Sequence, residues 1–80
     1  MISAIILLKV EKGGVPSIAK QLGDISEVTE IYSVAGPYDI VAKVQVEEYD
    51  RMSEVITEKL QAIKGILSTE TLMAFRMYKF

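Results

Sequence analysis

The 80-residue sequence predicts a small α+β fold, a four-stranded antiparallel sheet with two helices on one face in the order βαββαβ. Three observations carry that expectation. Apolar residues recur with strand-like spacing in four segments and with helical spacing in two. A Gly-Pro break divides the two middle strand-like segments, as a hairpin requires. The alternation β-α-β, hairpin, β-α-β leaves few topologies once crossovers are right-handed, and the natural one has strand order 4-1-3-2, the ferredoxin-like split βαβ arrangement.

Residues Ile2 to Val10 form an Ile- and Leu-rich run closed by Glu11-Lys12-Gly13-Gly14, which suits a strand apolar on both faces. Val15, Ile18, Ala19 and Leu22 then follow at i, i+3, i+4 and i+7, the spacing of one helix face. Pro16 fits the first turn of that helix and Gly23 its stop. A second strand is expected from Val28 to Val34 and a third from Asp39 to Val46, with Ile40, Ala42, Val44 and Val46 on one face. Met52, Val55, Ile56, Leu60 and Ile63 mark a second helix over Glu48 to Lys64, ended by Gly65. The last strand is expected over Leu67 to Tyr78. Residues 1–80 read as a single domain with no linker and no DNA-binding unit.

Composition excludes much chemistry. Cysteine and histidine are absent, which removes disulfides, thiolate metal sites, thiol nucleophiles and the commonest general base and metal ligand. No catalytic residue, metal or cofactor is expected, and the chain reads as a non-enzyme. Nine basic against eleven acidic residues give a net charge of −2, which argues against direct binding to nucleic acid. No apolar run is long enough to span a membrane, and the first ten residues have neither the basic leader nor the cleavage site of a signal peptide. A cytoplasmic protein is expected.

Half of the residues are hydrophobic, a large share for so small a body. In the first strand Ile2, Ala4, Ile6 and Leu8 occupy one face, but Ile5 and Leu7 occupy the other. In the last, Leu72 and Ala74 oppose Met73, Phe75 and Met77. Two helices cover only one side of a sheet, so the second side is expected to stack on another sheet. Half-covering each such side chain contributes about 1 kcal/mol. A handful of them rivals the roughly 5 kcal/mol total of a small domain, so dimerisation is expected to be part of folding.

Two segments could hold a ligand. In Val34-Ala35-Gly36-Pro37-Tyr38-Asp39-Ile40, the glycine lets a ligand approach the main chain and Asp39 places a carboxylate at a strand entry. In Gly65-Ile66-Leu67-Ser68-Thr69-Glu70-Thr71, Thr69 and Thr71 share one face and Ser68 and Glu70 the other. Together they offer hydroxyls and amides for a carboxylate and an acceptor for an ammonium, the needs of a zwitterion. The same residues also serve ordinary turn chemistry and β-propensity. Lys9, Lys43 and Arg76 fit rim charges that discourage aggregation.

The Gly-x-Tyr-Asp hairpin, followed about 25 residues on by Gly-hydrophobic-x-x-Thr-x-Thr, resembles the C-terminal effector domain of the Lrp/AsnC (feast/famine) transcriptional regulators, the RAM (regulation of amino-acid metabolism) domain. The resemblance covers essentially the whole chain. It implies a dimeric α+β barrel-like assembly, with dimers arranged as octameric or decameric rings and amino-acid effectors bound where dimers meet. It further implies that Gly36, Tyr38 and Asp39 belong to the effector pocket, with Ser68, Thr69 and Thr71 beside them. Members of that family carry a helix-turn-helix domain before this one, and the chain begins at the first strand. A stand-alone form is therefore expected, acting as a sensor or as a partner that modulates full-length Lrp/AsnC regulators. The alternatives are a dimeric α+β barrel enzyme or ligand carrier of the small-monooxygenase type and an ACT-like amino-acid-binding module. Barrel enzymes of that type usually place a His, Asn or Trp in the cavity, and none is present.

Overall fold

Strand β1 (Ile2–Val10) runs through the interior of the sheet, flanked by β3 (Ile40–Val46) and β4 (Ile66–Ala74), with β2 (Val28–Ser33) beyond β3. All three pairings are antiparallel and the order is β2-β3-β1-β4, the expected 4-1-3-2 read from the other edge. The computed structural model describes residues 1–79. Helix α1 (Val15–Gly23) joins β1 to β2, and α2 (Tyr49–Glu54) lies between β3 and β4. The architecture is the ferredoxin-like α+β fold read from the sequence.

The core lies between the sheet and its helices. Ala4, Ile6 and Leu8 of β1 face Val44, Ala42 and Ile40 of β3 in register, and all six are fully inaccessible. Ile18 and Leu22 of α1, Met52 of α2, and Val55 and Leu60 close over them. Among the described residues no polar side chain is buried, so this core is held by apolar contact alone.

The second helix departs from the expected Glu48–Lys64. Helix α2 is followed at once by a π-helical turn, Val55–Lys59, in which the Leu60 N–H donates to the Val55 carbonyl at 3.0 Å. Turns follow, and the chain reaches Gly65 without regular helix. In an α-helix, residues five apart are about 140° apart around the axis. The wider i→i+5 closure brings Val55 and Leu60 to the same side, and both are buried. The last strand is also shorter than the expected Leu67–Tyr78. Its final partner pair is Ser3 with Ala74, so the pairing stops one residue short of Ile2, where β1 begins. Strands β2 and β3 lie within one residue of their expected limits.

One ionic cluster ties the helical layer to the start of β2. Glu27 accepts from Arg51 of α2 and from Lys59 Nζ at 3.1 Å, and Arg51 also pairs with Glu54 at 2.8 Å. Burial pushes the Glu27 carboxyl up. Hydrogen bonds from Lys59, its own backbone N–H, Arg51 and Ser26 outweigh that effect and hold it at about 2.

Candidate functional site

The hairpin between β2 and β3 lies at the end of the sheet where β1 finishes and β4 begins. The Val34 N–H donates to the Asp39 carbonyl at 3.0 Å, closing the loop. Gly36 sits at its exposed tip with φ of +135° and open space around it. That backbone conformation suits only glycine, so the residue is required by the turn itself.

Asp39 is fastened to β1 twice. Its N–H donates to the Leu8 carbonyl at 2.9 Å, and its Oδ2 accepts the Val10 N–H at 3.0 Å. The pairing of β1 with β4 shifts register between Lys9 and Val10. The extra residue of this bulge, Leu67, lies on β4; Val10 stands beyond Leu8 with Ile40, the last pair of β1 with β3, and on that side the carboxylate takes its N–H. Tyr38 reaches further: its phenol donates to Glu70 Oε1 on β4 at 2.8 Å. That hydrogen bond, with desolvation and the neighbouring negative charge, raises the phenol above its usual ionisation range.

The start of β4 presents two faces. Thr69 and Thr71 pair with Leu8 and Ile6 of β1, so they lie on the helix side, half-buried. Ser68 and Glu70 pair with Lys9 and Leu7, so they lie on the uncovered side and are exposed. Gly36, Tyr38, Asp39, Ser68, Thr69 and Thr71 thus gather at one end of the molecule but do not form a closed pocket within one chain. Ser68 and Thr69 line a small groove of about 210 Å³ with Leu60 and Gln61, at the mouth between the π-helical turn and β4. Thr71 lies two pairs further along, outside that groove.

Glu70 is the contact that the sequence-based residue set lacks. Its alternation with Thr69 and Thr71 signals an outward face, but nothing in the sequence signals a partner 32 positions away across an intervening strand. On the uncovered face, Lys43 and Arg76 flank a second groove of about 420 Å³ floored by Ile5 and Ala74. Lys9 pairs with Ser68 and is exposed. No group of three or more acidic side chains able to hold a metal ion occurs among the described residues. No described helix is long and apolar enough to cross a membrane.

The family model of the Lrp/AsnC ligand binding domain matches residues 3–80. The chain belongs to this family. It is 39% identical over 61 residues to the regulatory protein AsnC of Escherichia coli, an alignment covering 76% of this chain and 40% of AsnC. The solved AsnC structure superposes with a TM-score of 0.92 at 31% identity, over 99% of this chain and 54% of that one. TTHA0845 from Thermus thermophilus is 35% identical, with a TM-score of 0.92 and all of both chains covered. At 15% identity the transcriptional regulator NMB0573 of Neisseria meningitidis, solved in complex with L-Met, shares the fold, with a TM-score of 0.88 over 99% of this chain and 53% of that one. The chain spans about two fifths to one half of the length of the curated relatives it matches. It is an Lrp/AsnC effector domain, and its relatives are transcriptional regulators.

Proposed function

We propose that this Lrp/AsnC domain binds an amino acid reversibly, without turnover, and assembles through its uncovered sheet face into dimers and rings of dimers. The observation that carries the reading is the meeting of two chemistries at one sheet end. The hairpin brings the Asp39 carboxylate and the Tyr38 phenol beside the hydroxyls that open β4. Asp39 Oδ2 is committed to Val10, which leaves Oδ1 to accept an ammonium. Ser68, Thr69 and Thr71 supply donors for a carboxylate. Because the threonines and the serine face opposite sides, one chain provides only part of the enclosure, and a neighbouring copy completes it. NMB0573, which shares the fold, was solved in complex with L-Met, in keeping with an amino acid as the ligand class.

Stacking is supported by Ile5, Leu7, Val41 and Leu72, which line the uncovered face without helices above them. Octamers or decamers then place pockets between dimers. The domain serves as a cytoplasmic small-molecule sensor or as a modulator that joins full-length Lrp/AsnC regulators. Calorimetry with each of the twenty L-amino acids tests the binding: one or a few give saturable heat, and Asp39→Ala abolishes it while light scattering still finds the assembly. A flat response to all twenty from an intact oligomer removes the sensor role and leaves assembly alone.

A further inference from the structure

We infer that Glu70 is a positioning residue of the effector site, holding the Tyr38 phenol and with it the Gly36 hairpin in register with β4; this rests on the amino-acid-binding reading above. The hairpin has two fastenings of different kinds. Asp39 ties its root to β1 through main-chain partners at Leu8 and Val10, which fixes where β3 begins. Nothing in that contact sets the hairpin against β4, because β1 lies between them. Among the described residues, the bond that spans β1 is the one from the Tyr38 phenol to Glu70 Oε1 at 2.8 Å. Glu70 stands between Thr69 and Thr71, and its neighbours on both sides carry the hydroxyls proposed to meet the carboxylate. Moving Glu70 relative to Tyr38 therefore moves the two halves of the site relative to each other. The donor is a neutral phenol and the acceptor a carboxylate, a pairing roughly twice as strong as one between neutral groups.

Amide hydrogen exchange and calorimetry on Tyr38→Phe, Glu70→Ala, the double variant and Glu70→Gln test the assignment, with each of the twenty L-amino acids as probe. Tyr38→Phe and Glu70→Ala are expected to speed exchange of the Val34 and Asp39 amides and to weaken binding about three- to tenfold, the span of one hydrogen bond. The double variant is expected to lose no more than either single one, since both remove the same bond. Glu70→Gln keeps an acceptor oxygen and is expected to remain within about twofold of the unchanged protein, while the loss in Tyr38→Phe, which keeps the ring and removes only the donor, is one that a role in shape alone would not predict. Additive losses, or a Gln variant as impaired as the Ala variant, overturn the role of Glu70. The two ideas fail separately. If the unchanged protein binds none of the twenty, the effector reading falls. If exchange at Val34 and Asp39 is unaltered in Glu70→Ala, the positioning role falls whatever the ligand does.

Discussion

On the helix side of the sheet, Ile6 and Val44 are wholly cut off from solvent, whereas on the other side Leu7 and Val41 are only half-covered and Leu72 is 47% exposed. The residue types are the same and the strands are the same. What separates the faces is the helical layer, which supplies Ile18, Leu22, Met52, Val55 and Leu60 to one face and nothing to the other. Apolar side chains on a pleated strand follow the period of two, but their burial depends on what lies above them. The uncovered face has the composition of a core and the exposure of a surface, which is why its partner is best sought in a second copy.

The sharpest way to break the contrast is to remove matching volume from each face. Ile6→Ala empties a site that has no exposure, and large-to-small changes of that kind cost about 2–5 kcal/mol. A domain this small has a total near 5 kcal/mol, so urea titration is expected to find little stability left in the variant in dilute solution, where association adds nothing. Ile5→Ala, one residue away on the uncovered face, is expected to cost far less in dilute solution, with its loss growing as concentration rises and copies associate. Equal and concentration-independent losses at the two positions would mean that the faces do not differ as described.

A smaller effect is expected from Leu72→Lys. Leu72 pairs with Ile5 on the uncovered face and is already exposed in the single chain, so the change costs the lone domain little. In a stacked pair it removes about 1 kcal/mol of half-covered surface from each copy, and about 2 kcal/mol weakens association roughly 30-fold. Sedimentation velocity reads the shift directly. An unchanged assembly would place the interface elsewhere on the molecule.

Much of this was legible in the order of residues. The alternation in Ile40-Val41-Ala42-Lys43-Val44-Gln45-Val46 appears directly as alternating burial in β3, and Thr69 and Thr71 do face away from Ser68 and Glu70. These are local properties, set by backbone period. Strand β2 is less transparent. A register shift between Val28 and Glu30 lets Val28 and Ile31, three apart, both pack on the core, which simple alternation forbids. The π-helical turn and the end of β4 at Ala74 were not legible because each answers to something distant. The turn brings Leu60 onto the core, and the strand lasts only as far as its pairing with β1, which ends at Ser3 with Ala74. The candidate site divides in the same way. The hairpin and the hydroxyl-bearing strand announce themselves as segments, whereas the Tyr38–Glu70 bond exists only because the sheet order sets β4 beside β1.

The charges sharpen the comparison of faces last and most gently. On the helical side Glu27 gathers Arg51 and Lys59 and ionises at about 2, against 4.5 for an unconstrained glutamate. Between those values the unfolded chain binds a proton at this residue that the folded chain does not. Stability from the cluster is therefore complete above about pH 4.5, declines as pH falls through that window and is gone near pH 2. Partial exposure of Arg51 and Lys59 to water screens the ion pairs, so the effect is expected to be modest and to shrink further in high salt. Replacing Glu27→Gln should flatten the acid limb of a stability profile between pH 4.5 and 2 while leaving self-association at neutral pH unaltered, because the cluster belongs to the helical layer and not to the uncovered face. If the variant instead changed the sedimentation behaviour and kept the acid limb, the helical layer and the assembly surface would be coupled, and the division between a self-sufficient face and a dependent one would have to be abandoned.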